Sequence, residues 1–208
     1  MKPRGWFVAL EGGEGSGKST QARLLAESAG ALLTREPGGT KLGAELRQLL
    51  LDPGTGVIDP RAEALLMAAD RAQHIAEVVR PALDKGEHVV SDRSAMSFLA
   101  YQGAGRGLPV AELRSLSDWA AGGLWPDLVV LIDVPPEVAK ARRAALAQHP
   151  DRLEAEGDGF HERVRAGFAA LAAADNDRWV VVDGTGTPAE VAGRVNAAWA
   201  AFLKSGTG

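Results

Sequence analysis

Gly12-Gly13-Glu14-Gly15-Ser16-Gly17-Lys18-Ser19 has the spacing G-x-x-x-x-G-K-[ST], with Thr20 next. Small residues at this spacing let successive backbone N–H groups converge on phosphate oxygens, and a following helix N-terminus adds a favourable dipole. Lys18 supplies a cation to the phosphates, and the Ser19 hydroxyl suits Mg²⁺. The chemistry is binding of a nucleoside triphosphate, with ATP the expected phosphoryl donor. A second group of charged residues follows: Arg35-Glu36 after a strand and before Pro37-Gly38-Gly39, Asp92-Arg93 just past another strand, and Arg47 and Arg71 on helices that could face the same cleft. A phosphotransferase needs such a cation-rich acceptor site. Asp92 is placed to hold Mg²⁺ directly or through water, and Arg93 to clamp a phosphoryl group.

Other phosphate and metal chemistries fit less well. A small GTPase needs an Asn-Lys-x-Asp base-reading motif, but Asn176 and Asn196 are followed by Asp177 and Ala197. The extra early lysine of partition ATPases is absent, because Gly13 and Glu14 stand there. Gly13-x-Gly15 and Gly103-x-Gly105 lack the last glycine of a dinucleotide fingerprint. His74, His88, His149 and His161 are scattered and read as surface or packing residues rather than ligands.

These residues must be held by alternating strands and helices. Trp6–Leu10, Ala31–Thr34, His88–Ser91, Leu128–Val134 and Trp179–Val182 read as short apolar strands. Helical spacing is expected over Lys18–Ser28, Leu42–Leu51, Pro60–Leu83 with a bend at Pro81, Ser94–Tyr101, Val110–Ala121, Pro136–Ala147, Phe160–Ala174 and Pro188–Leu203. Buried strands alternating with helices imply an α/β fold: about five parallel strands with helices on both faces. His149–Gly159 reads as an irregular charged loop and Ser205–Gly208 as a frayed end.

The 208 residues suit one domain spanning 1–208, with 25 glycines clustered at element ends and no cysteine. The lack of cysteine excludes a disulfide framework and a thiol nucleophile. A net charge of −4 without blocks of like charge disfavours a nucleic-acid coat or membrane-surface binder. Trp6–Leu10 is too short for a signal-peptide core or a membrane span. The expectation is a cytoplasmic protein with no nucleic-acid or membrane partner.

Taken together, the motifs resemble bacterial-type thymidylate (dTMP) kinases. The resemblance runs through Glu11–Thr20, Thr34-Arg35-Glu36-Pro37-Gly38-Gly39-Thr40, Asp70–His74, Asp92-Arg93 with Ser97, Ala100-Tyr101-Gln102-Gly103, Pro126–Asp133 and Asp151-Arg152-Leu153-Glu154. It implies ATP:dTMP phosphotransfer on a P-loop kinase fold, Mg²⁺ as cofactor, and a homodimer. Glu14 would meet the deoxyribose hydroxyl, and Glu36 would sit near the acceptor phosphate and metal. Arg47 and Arg93 would hold that phosphate. Arg71, Ser97 and Gln102 would read the thymine edge, and Tyr101 would crowd the sugar 2′ position. Arg142 would belong to the ATP site. The Pro136–Gly159 segment would form a lid; with Gly15 in place of a basic loop residue, the lid would supply the catalytic arginine, Arg152 first and Arg143 next.

The chain departs from the family pattern at Met67, where phenylalanine usually stacks on the base, at Phe98, usually small or polar, and at Ser94, often aromatic. Phe98 either replaces the stacking lost at Met67 or turns into the core. Ala144 and Leu146 stand where lids often carry further arginines. Alternatives are another nucleoside monophosphate kinase with a drifted base pocket, or a P-loop switch ATPase acting on a partner.

Overall fold

The computed structural model describes residues 3–145 and 150–205. The strands are β1 (Phe7–Glu11), β2 (Leu32–Arg35), β3 (Val89–Asp92), β4 (Leu128–Asp133) and β5 (Trp179–Asp183). They form one parallel sheet in the order β2-β3-β1-β4-β5. β1 is buried along its whole length and β4 up to its last residue, as expected of strands covered on both faces.

The helices are α1 (Lys18–Ala29), α2 (Lys41–Leu51), α3 (Pro60–His74), α4 (Arg80–Asp84), α5 (Ala95–Phe98), α6 (Val110–Ala121), α7 (Pro136–Ala145), α8 (Asp158–Ala174) and α9 (Pro188–Ser205). One apolar core lies between α1, α9 and the sheet, around Leu10, Leu25, Val130, Ile132 and Val195. A second gathers Met67, Phe98, Leu113, Phe160 and Phe168 from α3, α5, α6 and α8, and a third gathers Phe7, Ile75, Val79, Leu83 and Val89.

β1 pairs with β3 so that Leu10 lies opposite Asp92. The chain leaving β1, which is the phosphate loop, and the chain leaving β3, which is Asp92-Arg93, therefore emerge side by side. The Arg93 N–H donates to the Leu10 carbonyl at 3.0 Å. Helix starts follow their sequence signals. Thr40 caps α2 by accepting from the Gly43 N–H, and Asp59 caps α3 ahead of Pro60. α1 differs: it begins from Gly17 with no side-chain cap. Its open N–H groups are left for a ligand.

Two of the expected helices, the one over Pro60–Leu83 with its bend at Pro81 and the one over Ser94–Tyr101, contain wide π-helical turns. Between α3 and α4, Ile75–Val79 is a π-helical turn, with the Arg80 N–H bonded to the Ile75 carbonyl. The irregularity precedes Pro81 rather than falling on it, because proline's missing N–H and its ring disturb the turn before it. α5 passes into a π-helical segment, Leu99–Gly105. The helix expected over Pro136–Ala147 is α7 as far as Ala145; residues 146–149, which include Leu146 and His149, lie outside the described residues, as do 206–208. Ser205, expected to fray, is the last residue of α9.

The charged stretch after residue 149 is irregular, as expected, and it is docked onto its neighbours. The Asp151 carboxylate accepts from the N–H groups of Leu153 and Glu154, and the Arg152 N–H donates to the Leu51 carbonyl at the end of α2. Phe168 of α8 packs edge-on against Tyr101, centroids 6.2 Å apart, and is fully enclosed. Phe168→Ala is therefore expected to cost about 3–5 kcal/mol of stability in denaturant unfolding. It should also lower turnover at temperatures where the variant is still folded, because Tyr101 loses its backing.

Candidate active site

A cleft of about 690 Å³ opens at the C-terminal edge of the sheet, where ligands bind in open α/β folds. Glu14, Gly15, Ser16, Gly17, Lys18, Ser19 and Thr20 line one end of it. Gly12 and Gly13 lie behind, their carbonyls accepting from Arg93 and from the Lys18 ammonium at 3.4 Å. Gly15 has φ +78°, and a Cβ there would meet the Ala139 carbonyl of α7 at 2.4 Å. Any side chain at this position would push α7 off the loop, so glycine is required by space as well as by backbone angle.

Arg93 is the hub of the cleft. It is the one non-glycine with positive φ among the described residues, at 73°. Its guanidinium pairs with Glu14, donates to the Gly12 carbonyl at 3.3 Å, to Ser97 Oγ at 3.0 Å and to Tyr101 Oη at 3.2 Å, and lies over the Tyr101 ring. Tyr101 in turn donates to Glu14 at 2.9 Å, and Lys18 stands 3.6 Å from the same carboxylate. Burial works against ionisation of Glu14, but Arg93 and then Lys18 outweigh it and hold its carboxyl down at about 2. Burial, followed by the Arg93 charge, lowers Lys18.

Ser97 lines the cleft, and its hydroxyl donates to the Glu11 carboxylate at 2.5 Å and accepts from Arg93, so it helps position Arg93. Ser94 also donates to Glu11, at 2.8 Å. This hydroxyl, where an aromatic residue was the family norm, is thus a partner for a fully buried carboxylate. Burial pushes Glu11 up to about 7 against the hydrogen bonds of Ser97, the charge of Arg93 and the bond from Ser94.

On the acceptor side, Arg35, Arg47, Met67, Arg71, Phe98 and Gln102 line the cleft. Arg47 donates to the Pro37 carbonyl at 3.0 Å, and among the described residues neither Arg35 nor Arg47 has a carboxylate partner. Burial and the neighbouring Arg35 and Arg93 lower Arg47, which is the signature of a site short of an anion. Arg71 is held by Glu36 and by Ser117 at 3.1 Å, and it lies over the Phe98 ring, 4.9 Å from its centroid. Phe98 is therefore core, 2% exposed, with one face covered by that guanidinium. Glu36 lines the cleft and is engaged between Arg71 and His74, so it orients Arg71. His74 is itself buried and bonded to Thr34 at 2.7 Å, a packing histidine as expected.

The arginines of the Pro136–Gly159 segment are held differently from one another. Arg152, expected to act first, pairs with Glu63 and donates to the Leu50 carbonyl at 2.7 Å, away from the phosphate loop. Arg143 reaches the loop instead, donating to the Glu14 carbonyl at 3.0 Å, and it lines the cleft. Arg142 donates to the Ser16 carbonyl at 3.1 Å and the Gly184 carbonyl at 2.9 Å, bridging the loop to the turn after β5. Sequence reasoning missed Glu63. Its signal was the spacing of Glu63, Met67, Asp70, Arg71 and His74 along one buried face of α3.

For a divalent cation, the useful observation is Asp92, whose Oδ1 is buried without a hydrogen-bond partner while the residue lines the cleft beside Ser19. No cluster of three or more acidic or histidine ligands occurs among the described residues. That donor set fits Mg²⁺, which keeps several waters and takes phosphate oxygens with one or two protein ligands.

The open α1 N-terminus, buried Lys18 and a separate arginine-rich acceptor end define a P-loop nucleotide kinase. A family model described as thymidylate kinase matches residues 10–195. The thymidylate kinase of Leifsonia xyli subsp. xyli is 53% identical over 196 residues, covering 92% of both chains. That of Thermomicrobium roseum is 50% identical over 206 residues, covering 97% of each. A crystal structure of thymidylate kinase from Ehrlichia chaffeensis superposes with a TM-score of 0.79 at 30% identity, over 95% of this chain and 99% of that one. The chain belongs to the thymidylate kinase family.

Glu11 supplies a pH test. Its folded value of about 7 lies above the ordinary carboxyl value of 4.5, so the folded state binds the extra proton. The associated stability is full below about pH 4.5 and is lost as pH rises through about 7. Tm of the native chain, measured by circular dichroism, should therefore fall more steeply between pH 5 and 8 than Tm of Glu11→Gln. Parallel curves would assign the titration elsewhere.

Proposed function

We infer that this chain transfers the γ-phosphoryl group of ATP to dTMP, giving dTDP and ADP. The observation that carries the reading is one cleft with a phosphate loop at one end and, at the other, the cations Arg35 and Arg47 without carboxylate partners beside Arg71 and Gln102.

Phosphoryl transfer asks mainly for positioning and charge neutralisation. The loop N–H groups and the α1 N-terminus hold the donor phosphates, with Lys18 beside them. Arg142 bounds the nucleoside end of the ATP site. Arg47 and Arg93 take the dTMP phosphate, whose anionic oxygen is the nucleophile, so no general base is required. Arg71 donates to a thymine carbonyl, Met67 gives an adaptable apolar wall against the ring, and Tyr101 crowds the 2′ carbon, disfavouring ribonucleotides. Glu14, now holding Arg93, is close enough to exchange that contact for the sugar hydroxyl. Ser19 and Asp92 would hold Mg²⁺, which neutralises charge on the donor phosphates when bound. Arg143 is the better placed lid cation.

A homodimer fits the layer made by α2, α3 and α6. Leu42, Leu49, Leu65, Val110 and Trp119 stand exposed there, Trp119 at 82%. No described helix is long and apolar enough to cross a membrane. The reading places the enzyme in the cytoplasm, with its nucleotide substrates.

The test is a coupled ADP-release assay with Mg-ATP against dTMP, dUMP, dCMP, UMP, AMP and no acceptor. Turnover concentrated on dTMP is expected; ADP release that ignores the acceptor would overturn the reading in favour of a switch ATPase. In the same assay Arg143→Ala should lower kcat on the order of a thousandfold with the KM for dTMP nearly unchanged. A comparable kcat loss in Arg152→Ala alone would return the catalytic role to Arg152.

A further inference from the structure

Glu63 has no exposed surface, yet three side chains donate to its carboxylate. Gln102 Nε2 lies 2.9 Å from Oε1, Arg106 spans both oxygens at 3.2 Å, and Arg152 pairs with Oε2. Burial works against its charge, but the bonds from Arg106, Gln102 and Arg152 prevail and lower the carboxyl below its usual range. An ionised carboxylate only accepts hydrogen bonds, so it settles which way round the Gln102 amide lies. The NH₂ end must face Glu63, and the carbonyl end is left for the cleft that Gln102 lines.

We propose that Glu63 is a positioning residue for base selection, locking Gln102 as an acceptor toward the bound pyrimidine. The proposal rests on the reading of this cleft as a dTMP site. Arg71 then presents a donor and Gln102 an acceptor. A thymine or uracil edge offers the matching carbonyl and ring N–H. Cytosine offers an amine and an unprotonated ring nitrogen, the reverse at both atoms. A Gln102 free to turn would offer its NH₂ to that ring nitrogen and lose half of the discrimination.

The experiment compares kcat/KM for dTMP, dUMP and dCMP in the native chain and in Glu63→Gln, whose amide both donates and accepts and so releases the lock. The dTMP:dCMP ratio should fall about tenfold, and the dTMP:dUMP ratio should stay constant because both bases keep the ring N–H. Equal losses on all three substrates would make Glu63 a structural residue and overturn the proposal. Should Glu63→Gln fail to fold, side-chain amide NMR of the native chain decides, with the Gln102 signal assigned by its absence in Gln102→Leu. Protected NH₂ protons whose shifts barely change on adding dTMP support the lock. Protons that lose protection or shift strongly on binding overturn it. Absence of native turnover with dTMP would refute the substrate reading itself, while the NMR protection without ligand would still report on the Glu63–Gln102 bond.

Discussion

Two cations, buried Lys18 and half-buried Arg93, converge on the single carboxylate of Glu14, and most of the cleft is arranged around that shortage of negative charge. Burying a charge costs several kcal/mol unless it is paired. The chain therefore surrounds Arg93 with a carboxylate, a carbonyl, a serine and a tyrosine, and holds the residue in a backbone conformation that non-glycine residues seldom adopt. The parallel pairing of β1 with β3 is what allows it, since it delivers Glu14 and Arg93 to one place from segments 79 residues apart. Phosphates entering the cleft relieve the same shortage, so fold and substrate answer one electrostatic demand.

Much of this was readable from residue order. Short apolar strands, the helix start at Pro60 and the glycine loop are local signals, and the five strands formed within a residue of their expected places. The phosphate-loop residues from Glu14 to Thr20, together with Arg47, Arg71, Arg93 and Tyr101, meet in one cleft: the loop and Arg93 follow strand ends, and the others lie on helices that face the same opening.

What stayed hidden depends on contacts across long stretches of chain. Arg152 looked like a free lid cation because its partner, Glu63, is 89 residues away. The bond from Ser97 to the buried Glu11, 86 residues away, gave no signal in the sequence. Phe98 could have faced either way, and the Arg71 guanidinium lying over its ring decided the matter. Spacing identifies which face a residue occupies; it does not say which of several charged neighbours will take its hydrogen bonds.

The π-helical segment Leu99–Gly105 gives the site a dependence on length as well as on residue type. A turn of this kind accommodates one residue more than an α-helical turn does. Tyr101 and Gln102 sit inside it, one against Arg93 and the other against Glu63. Removing a single residue from the segment would restore ordinary helical winding and rotate both side chains away from those partners, with every named residue still present. In this part of the molecule the catalytic alphabet can be intact while its phase is lost.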